Sequence, residues 1–187
     1  MVESYKVVFI GEPGAGKTTC VAALSDIEPI TTEVPAGGEL ALMKDTTTVA
    51  FDYGEMELEG GERLLLYGLP GQERFSFMFE VVRHGLLGII VLVDASSAHA
   101  LDGLRETLKT YAKELEHLPW LIAVNKARDS ADSLRRACQT LLFQSRLVAP
   151  IVTVDARKRE SIAHMFEILF TLLEYGDERS RDQELLA

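Results

Sequence analysis

The stretch Gly11-Glu12-Pro13-Gly14-Ala15-Gly16-Lys17-Thr18 constrains this chain more than any other. Before it stands Lys6-Val7-Val8-Phe9-Ile10, apolar and β-branched, which reads as a buried strand. After it, Thr19-Cys20-Val21-Ala22-Ala23-Leu24-Ser25 reads as a helix. A strand, a glycine-rich turn and a Lys-Thr pair opening a helix make the setting of a phosphate-binding loop. Glycines let the backbone curl until several N–H groups point at one oxyanion, and the helix N-terminus adds partial positive charge there. On this reading Gly11, Gly14, Ala15, Gly16, Lys17, Thr18 and Thr19 hold a nucleotide's phosphates. Lys17 reaches the outer phosphates, and the Thr18 hydroxyl ligates Mg²⁺.

The rest of the composition narrows the setting. A chain of 187 residues, 47% hydrophobic and 26% charged, fits one soluble domain with a substantial core. Its formal net charge of −10 gives no electrostatic footprint for nucleic acid or anionic lipid, so both are disfavoured as partners. The phosphate site is then a local basic spot on an acidic body. The two cysteines, Cys20 and Cys138, fall in helical stretches and read as small core residues. No disulfide framework is implied, which favours a reducing compartment. Glu3 and Lys6 interrupt any secretory leader, and no apolar run reaches membrane-spanning length. With the need for nucleotide, these features point to the cytoplasm.

After the first helix the pattern dissolves. Asp26 to Asp45 holds Pro29, Pro35, Gly37 and Gly38 without an apolar period and reads as loop. Val49 to Tyr53, continued by Glu55 to Leu58, and Arg63 to Tyr67 read as two strands joined by a Gly60-Gly61 hairpin, the one expected antiparallel pair. Gly68 to Arg74 breaks the pattern, and Phe75 to His84 has helical spacing. Gly88 to Asp94 is continuously apolar up to its aspartate, as a central parallel strand is. Leu101 to Leu118 reads as an amphipathic helix, Trp120 to Asn125 as a strand, Asp132 to Gln144 as a helix and Pro150 to Val154 as the last strand. Ser161 reads as the cap of a final helix that Gly176 stops. The expected fold is α/β: a doubly wound, mainly parallel six-stranded sheet with one antiparallel edge strand. Residues 1–176 form the domain and 177–187 a charged, mobile tail. Turns after parallel strands gather at one edge of such a sheet, where ligands bind.

Three more stretches then carry a family likeness. Thr48 precedes the strand Val49 to Tyr53, Pro70-Gly71-Gln72-Glu73-Arg74-Phe75 follows the next strand, and Asn125-Lys126 closes the fifth. With the phosphate loop, these resemble the small Ras-like P-loop GTPases over residues 5–175, nearest to bacterial members related to the gliding-polarity GTPases. The resemblance implies a switch that binds GTP and GDP with Mg²⁺. Thr48 would then join Thr18 on the metal and sense the γ-phosphate, and the Gly71 N–H would bond that phosphate. Gln72 would orient the attacking water, with Lys17 stabilising the phosphates. Asn125, Lys126, Asp155 and Ala156 would meet the base, the Ala156 N–H facing its carbonyl. The resemblance also implies effectors and regulators at the switch surface, roadblock-type regulators among them, and the aromatic cluster Phe75, Phe77, Phe79 is a candidate for that surface. Arg74 reads either as an arginine acting in cis on the phosphate or as a surface or partner contact.

Two departures stand out. Gly68 occupies the place where the family has a Mg²⁺-linked aspartate, and Asp45, Asp52 and Asp94 are the candidates to compensate. Arg128 stands where the family's Asn-Lys-x-Asp has its guanine-reading aspartate, and a guanidinium accepts no hydrogen bonds. Either the loop shifts by one residue so that Asp129 serves, the favoured reading, or guanine specificity is reduced. An ATP-using P-loop ATPase or kinase, with Asp94 ending a Walker-B-like strand, and a nucleotide-binding scaffold with little hydrolysis remain the rival readings.

Overall fold

A computed structural model describes the backbone of residues 4–35, 48–127 and 131–185, and the side chains of 4–30, 51–127 and 131–176. Strand β1 (Ser4–Gly11) leads into helix α1 (Lys17–Leu24). Strands β2 (Ile30–Pro35), β3 (Thr48–Glu57) and β4 (Arg63–Pro70) follow, then a short 3₁₀ turn (Glu73–Phe75) and α2 (Phe77–Val82). The chain continues through β5 (Leu86–Asp94), α3 (Ala100–Thr110), α4 (Ala112–His117), β6 (Trp120–Asn125), α5 (Ala131–Ser145), β7 (Ile151–Val154) and α6 (Arg159–Leu185).

Among the described residues all strands join one sheet in the order β2-β3-β4-β1-β5-β6-β7. From β4 to β7 every neighbouring pair is parallel. The apolar residues of the central strands alternate between two cores. Val8, Ile10, Val91 and Ile122 face α2, α3 and α5 on one side. Val7, Phe9, Leu92 and Leu121 face α1 and α6 on the other. This two-sided burial is why the strands read as unbroken hydrophobic runs.

The doubly wound α/β class is as expected, with five local differences. Ile30–Pro35, part of the stretch read as loop, is a strand that pairs antiparallel with β3, so the sheet has seven strands and two antiparallel pairs among the described residues. Its Ile-Thr-Thr-Glu-Val run has β propensity that the flanking prolines concealed. Gly68 lies inside β4, paired with both Asp52 of β3 and Phe9 of β1. The helix expected over Leu101 to Leu118 breaks at Tyr111, whose φ of −106° and ψ of 21° leave the α region. The Tyr111 ring is buried, and its hydroxyl donates to the Pro70 carbonyl at 2.9 Å. Helix α6 runs through Gly176 to Leu185. One glycine costs a helix about 1 kcal/mol, too little to end it by itself. Ser161 lies within α6 and accepts the Asp155 N–H at 3.0 Å instead of capping the helix.

Cys20 and Cys138 are buried, and burial pushes their thiols up to about 12 and about 11. Among the described residues no helix is long and apolar enough to cross a membrane. Leu169 of α6 is fully buried against the sheet. Leu169→Ala is expected to cost about 2–5 kcal/mol, read as a lowered midpoint in urea unfolding.

Candidate functional site

The parallel register brings the ends of β1, β4, β5, β6 and β7 to one edge. Gly11 is level with Pro70 and Leu92, Asp94 with Asn125, and Asn125 with Val154. The turn from Gly11 to Lys17 therefore sits at the middle of that edge. Gly14 and Gly16 take φ values of 81° and 109°, which L side chains rarely adopt. A side chain at Gly16 would also collide with the Asn125 amide. Within the turn the Ala15 N–H donates to the Glu12 carbonyl at 3.1 Å. The Lys17 ammonium folds back over it, donating to the Gly11 and Glu12 carbonyls at 2.8 and 2.9 Å. Burial lowers the Lys17 pKa, with the Asp52 and Glu12 carboxylates pulling the other way.

Asn125 and Lys126 clamp this turn from β6. The buried Asn125 amide donates to the Ala15 carbonyl at 2.9 Å and accepts the Ala156 N–H at 3.1 Å. It thus ties the phosphate loop to the turn after β7. Lys126, with a φ of 58°, bonds the Gly14 carbonyl at 2.6 Å and the Asp94 carboxylate at 2.7 Å. Burial raises the Asp94 carboxyl, but hydrogen bonds from Lys126 and Ser96 outweigh it and hold the group below its ordinary range. Asp155 forms a double hydrogen bond to the Arg157 guanidinium, 2.9 Å to each nitrogen, which brings its carboxyl down to about 2. A cavity of about 460 Å³ opens here, lined by Gly16, Thr19, Asn125, Lys126, Asp155 and Ala156 among others. Gly14, Gly16 and Thr19 of the phosphate turn and Asn125, Lys126, Asp155 and Ala156, expected at the base, thus line one cavity.

At the other end of the loop, the Thr18 hydroxyl donates to Asp52 Oδ2 at 2.8 Å. Asp52 is nearly buried and stands directly across the β3–β4 ladder from Gly68. A Cβ on Gly68 would lie 2.8 Å from Asp52 Oδ2 and 3.3 Å from the Lys17 Cβ. The space that a side chain at position 68 would take is filled by Asp52 from the neighbouring strand. Of the three candidate carboxylates, Asp94 is committed to Lys126, and Asp45 lies outside the described residues. Thr18 and Asp52 offer hard oxygen donors beside the phosphate turn, a set that suits Mg²⁺. Among the described residues no group of three or more His, Cys, Asp or Glu side chains forms a separate metal cage.

The segment after β4 lies against the turn. The Gly71 N–H donates to the Gly11 carbonyl at 3.1 Å. It must leave that partner to reach a phosphate. The Gln72 side chain points its amide nitrogen at Glu12 and its oxygen at Arg74. Arg74 also lies over the Phe75 ring, 4.6 Å from its centroid. Phe79 is buried, while Phe75 and Phe77 are half-buried against the same core. The Thr48 side chain, Arg128 and Asp129 lie outside the described residues. Glu12, Tyr111 and Arg157 make contacts at this edge that the sequence reading did not assign. Glu12 alone carried a signal, as an acid inside an anion-binding turn.

A turn of this design, placed after the first strand of a doubly wound sheet and clamped by an Asn-Lys pair, defines the P-loop GTPases as the class. Residues 6–126 match the family described as 50S ribosome-binding GTPase, and the chain belongs to it. An uncharacterized protein of Methanocaldococcus jannaschii is 32% identical over 124 residues, 66% of this chain and 71% of that one. GTPase Obg of a Picosynechococcus strain is 25% identical over 188 residues. The match takes in 95% of this chain but only 50% of Obg, so the chain spans half the length of that relative. The solved FeoB G-domain from Methanococcus jannaschii shares the fold, with a TM-score of 0.54 and 19% identity over 92% of this chain and 99% of that one.

The lowered Asp94 carboxyl sets a pH dependence. A depressed folded pKa contributes stability above the ordinary carboxylate range, near 3.9, that is lost as pH falls through the folded value. Asp94→Asn is therefore expected to lower the unfolding midpoint at pH 7, with the gap to wild type closing as pH drops below about 4. A gap that persists undiminished at pH 3 would contradict the Asp94–Lys126 pairing.

Proposed function

We propose that this chain is a nucleotide-dependent switch that binds GTP with Mg²⁺ and hydrolyses it slowly, faster with an activating partner. The observation that carries this reading is the curled Gly14–Thr18 turn with the Thr18–Asp52 pair at its exit. The amides of Gly14, Gly16, Lys17, Thr18 and Thr19 meet the phosphates, the Ala15 N–H joins them once it leaves the Glu12 carbonyl, and Gly11 lets the strand turn into them. Lys17 neutralises charge on the outer phosphates. Thr18 and Thr48 would hold Mg²⁺, with Asp52 supporting the metal's water from β3. When bound, the metal neutralises phosphate charge. Gln72 orients the water that attacks the γ-phosphorus, and the Gly71 N–H exchanges its Gly11 partner for the γ-phosphate.

At the base, Asn125, Lys126, Asp155 and Ala156 form the pocket, and Asp129 accepts the two guanine donors. The loops around Thr48 and Gln72 are held by the terminal phosphate and relax without it. They offer the face for effectors and regulators, for which roadblock-type proteins are our candidates. Pro70-Gly71-Gln72 without an aspartate at position 68 supports a place near the gliding-polarity group. Residues 1–176 carry the activity, and we place the protein in the cytoplasm.

Titration with GDP and ADP under Mg²⁺ tests the base assignment. Tight GDP binding with negligible ADP binding is expected, whereas comparable ADP binding would favour the ATPase reading. Lys17→Ala is expected to abolish binding of either nucleotide, and retained tight binding would sink the phosphate-loop assignment. For the metal, Asp52→Asn is expected to weaken Mg²⁺-dependent GTP binding by about 10–100-fold. Gly68→Asp alone is expected to weaken it too, because position 68 has no room beside Asp52. The exchange Asp52→Gly with Gly68→Asp should recover part of the loss. Full affinity in Asp52→Asn would refute Asp52's part. Single-turnover hydrolysis is expected to collapse in Gln72→Leu.

A further inference from the structure

Glu12 is an odd residue for an anion-binding turn. Its charge opposes a phosphate, yet its side chain is partly buried there and packs against α3. Gly103 makes the slot: a Cβ at position 103 would collide with the Glu12 side chain. One carboxylate oxygen, Oε1, is buried without a hydrogen-bond partner among the described residues. The other, Oε2, faces the Gln72 Nε2 at 3.5 Å. At its far end the Gln72 Oε1 accepts from Arg74 Nε at 3.2 Å and Arg74 Nη2 at 3.0 Å.

This arrangement leaves the Gln72 carboxamide one orientation. A carboxylate only accepts hydrogen bonds and a guanidinium only donates them. The nitrogen must therefore face Glu12 and the oxygen Arg74, and a flipped amide would set donor against donor and acceptor against acceptor. The oxygen is the atom that can accept a hydrogen bond from water. Glu12 selects which end of the amide is outward, and Arg74 covers that end.

We propose that Glu12 is a positioning residue for hydrolysis: it fixes the Gln72 carboxamide with its oxygen outward, and Arg74 caps that oxygen until a phosphate or a partner's acid draws the guanidinium off. The inference rests on the reading of Gln72 given above. Glu12 touches no reacting atom; it acts through Gln72. No covalent step is added. Water still attacks the γ-phosphorus, the bond to the β–γ bridging oxygen breaks, and inorganic phosphate and GDP leave.

The test is single-turnover GTP hydrolysis by the full chain, with GTP affinity measured in parallel, in a double-mutant cycle of Glu12→Ala and Gln72→Leu. Glu12→Ala is expected to slow hydrolysis by about tenfold to a hundredfold, with GTP affinity unchanged or improved. In the Gln72→Leu background the same change is expected to have no further effect. Glu12→Gln keeps an acceptor for the amide nitrogen and is expected to restore most of the rate. Arg74→Ala is expected to raise the intrinsic rate by several-fold.

Equal slowing by Glu12→Ala with and without Gln72 would overturn the proposal and leave Glu12 a structural residue. An unslowed Glu12→Ala would also overturn it, provided Gln72→Leu is slow. A fall in rate in Arg74→Ala would overturn the cap. A Gln72→Leu variant as fast as wild type would instead overturn the underlying assignment of Gln72 to the water. Because Glu12→Ala empties a packed slot, its unfolding midpoint is measured beside Glu12→Gln, whose fold is expected to be intact.

Discussion

The site depends on Lys17 turning back on the loop that precedes it. Its ammonium holds the carbonyls of Gly11 and Glu12, at the start of the turn, from a side chain that begins at the turn's end. That bond closes the loop into a ring before any anion arrives. The turn is thereby ordered in advance, and binding does not have to meet the entropy of ordering it. Asn125 and Lys126 add two more ties, to the Ala15 and Gly14 carbonyls. Each tie uses a carbonyl oxygen of the turn. The ring is therefore only as firm as the register of β1, β5 and β6, which sets where Asn125 stands.

That dependence explains what was legible in the sequence. Hydrophobic runs such as Ile89 to Val93 and Leu121 to Val124 are covered on both faces, so their character survives without alignment. The phosphate turn is legible because glycine and lysine spacing is a local property of the chain. Position 68 is different. Nothing local says that Asp52 lies across from it, because the β3–β4 register is set by a hairpin and by side chains far along both strands. The carboxylate was visible as one candidate among three, and only the ladder singles it out. The Tyr111 break escaped for a similar reason. An aromatic at helical spacing reads as core, and the pull of Pro70 on its hydroxyl is a tertiary fact. The strand at Ile30 was hidden by prolines, and Gly176 was read as stronger punctuation than one glycine is.

On the proposal that Asp52 serves in place of an acid at position 68, the exchange has a physical logic. In a β-ladder two residues directly opposite project to the same face with Cβ atoms about 5 Å apart. A carboxylate can therefore be delivered to nearly one point from either strand, provided the opposite residue has no side chain. Gly68 satisfies that proviso, and a side chain there would press on both Asp52 and Lys17. Moving the acid to β3 ties the Thr18 hydroxyl to the strand that begins at Thr48.

The charge pattern at the edge follows from the same economy of contacts. The body carries −10, yet the cavity must admit a polyanion. Its described cations do not solve this by standing free. Lys126 is paired with Asp94, Arg157 with Asp155, and Lys17 is bound to carbonyls with Asp52 and Glu12 nearby. Charge among these described groups is close to balanced, so their attraction at a distance is weak and screened further by salt. What remains is short-range: fixed amides, a helix N-terminus and an ammonium whose carbonyl bonds a phosphate oxygen can replace. Such a site discriminates by shape, because only an anion small enough to enter the ring meets all the donors together.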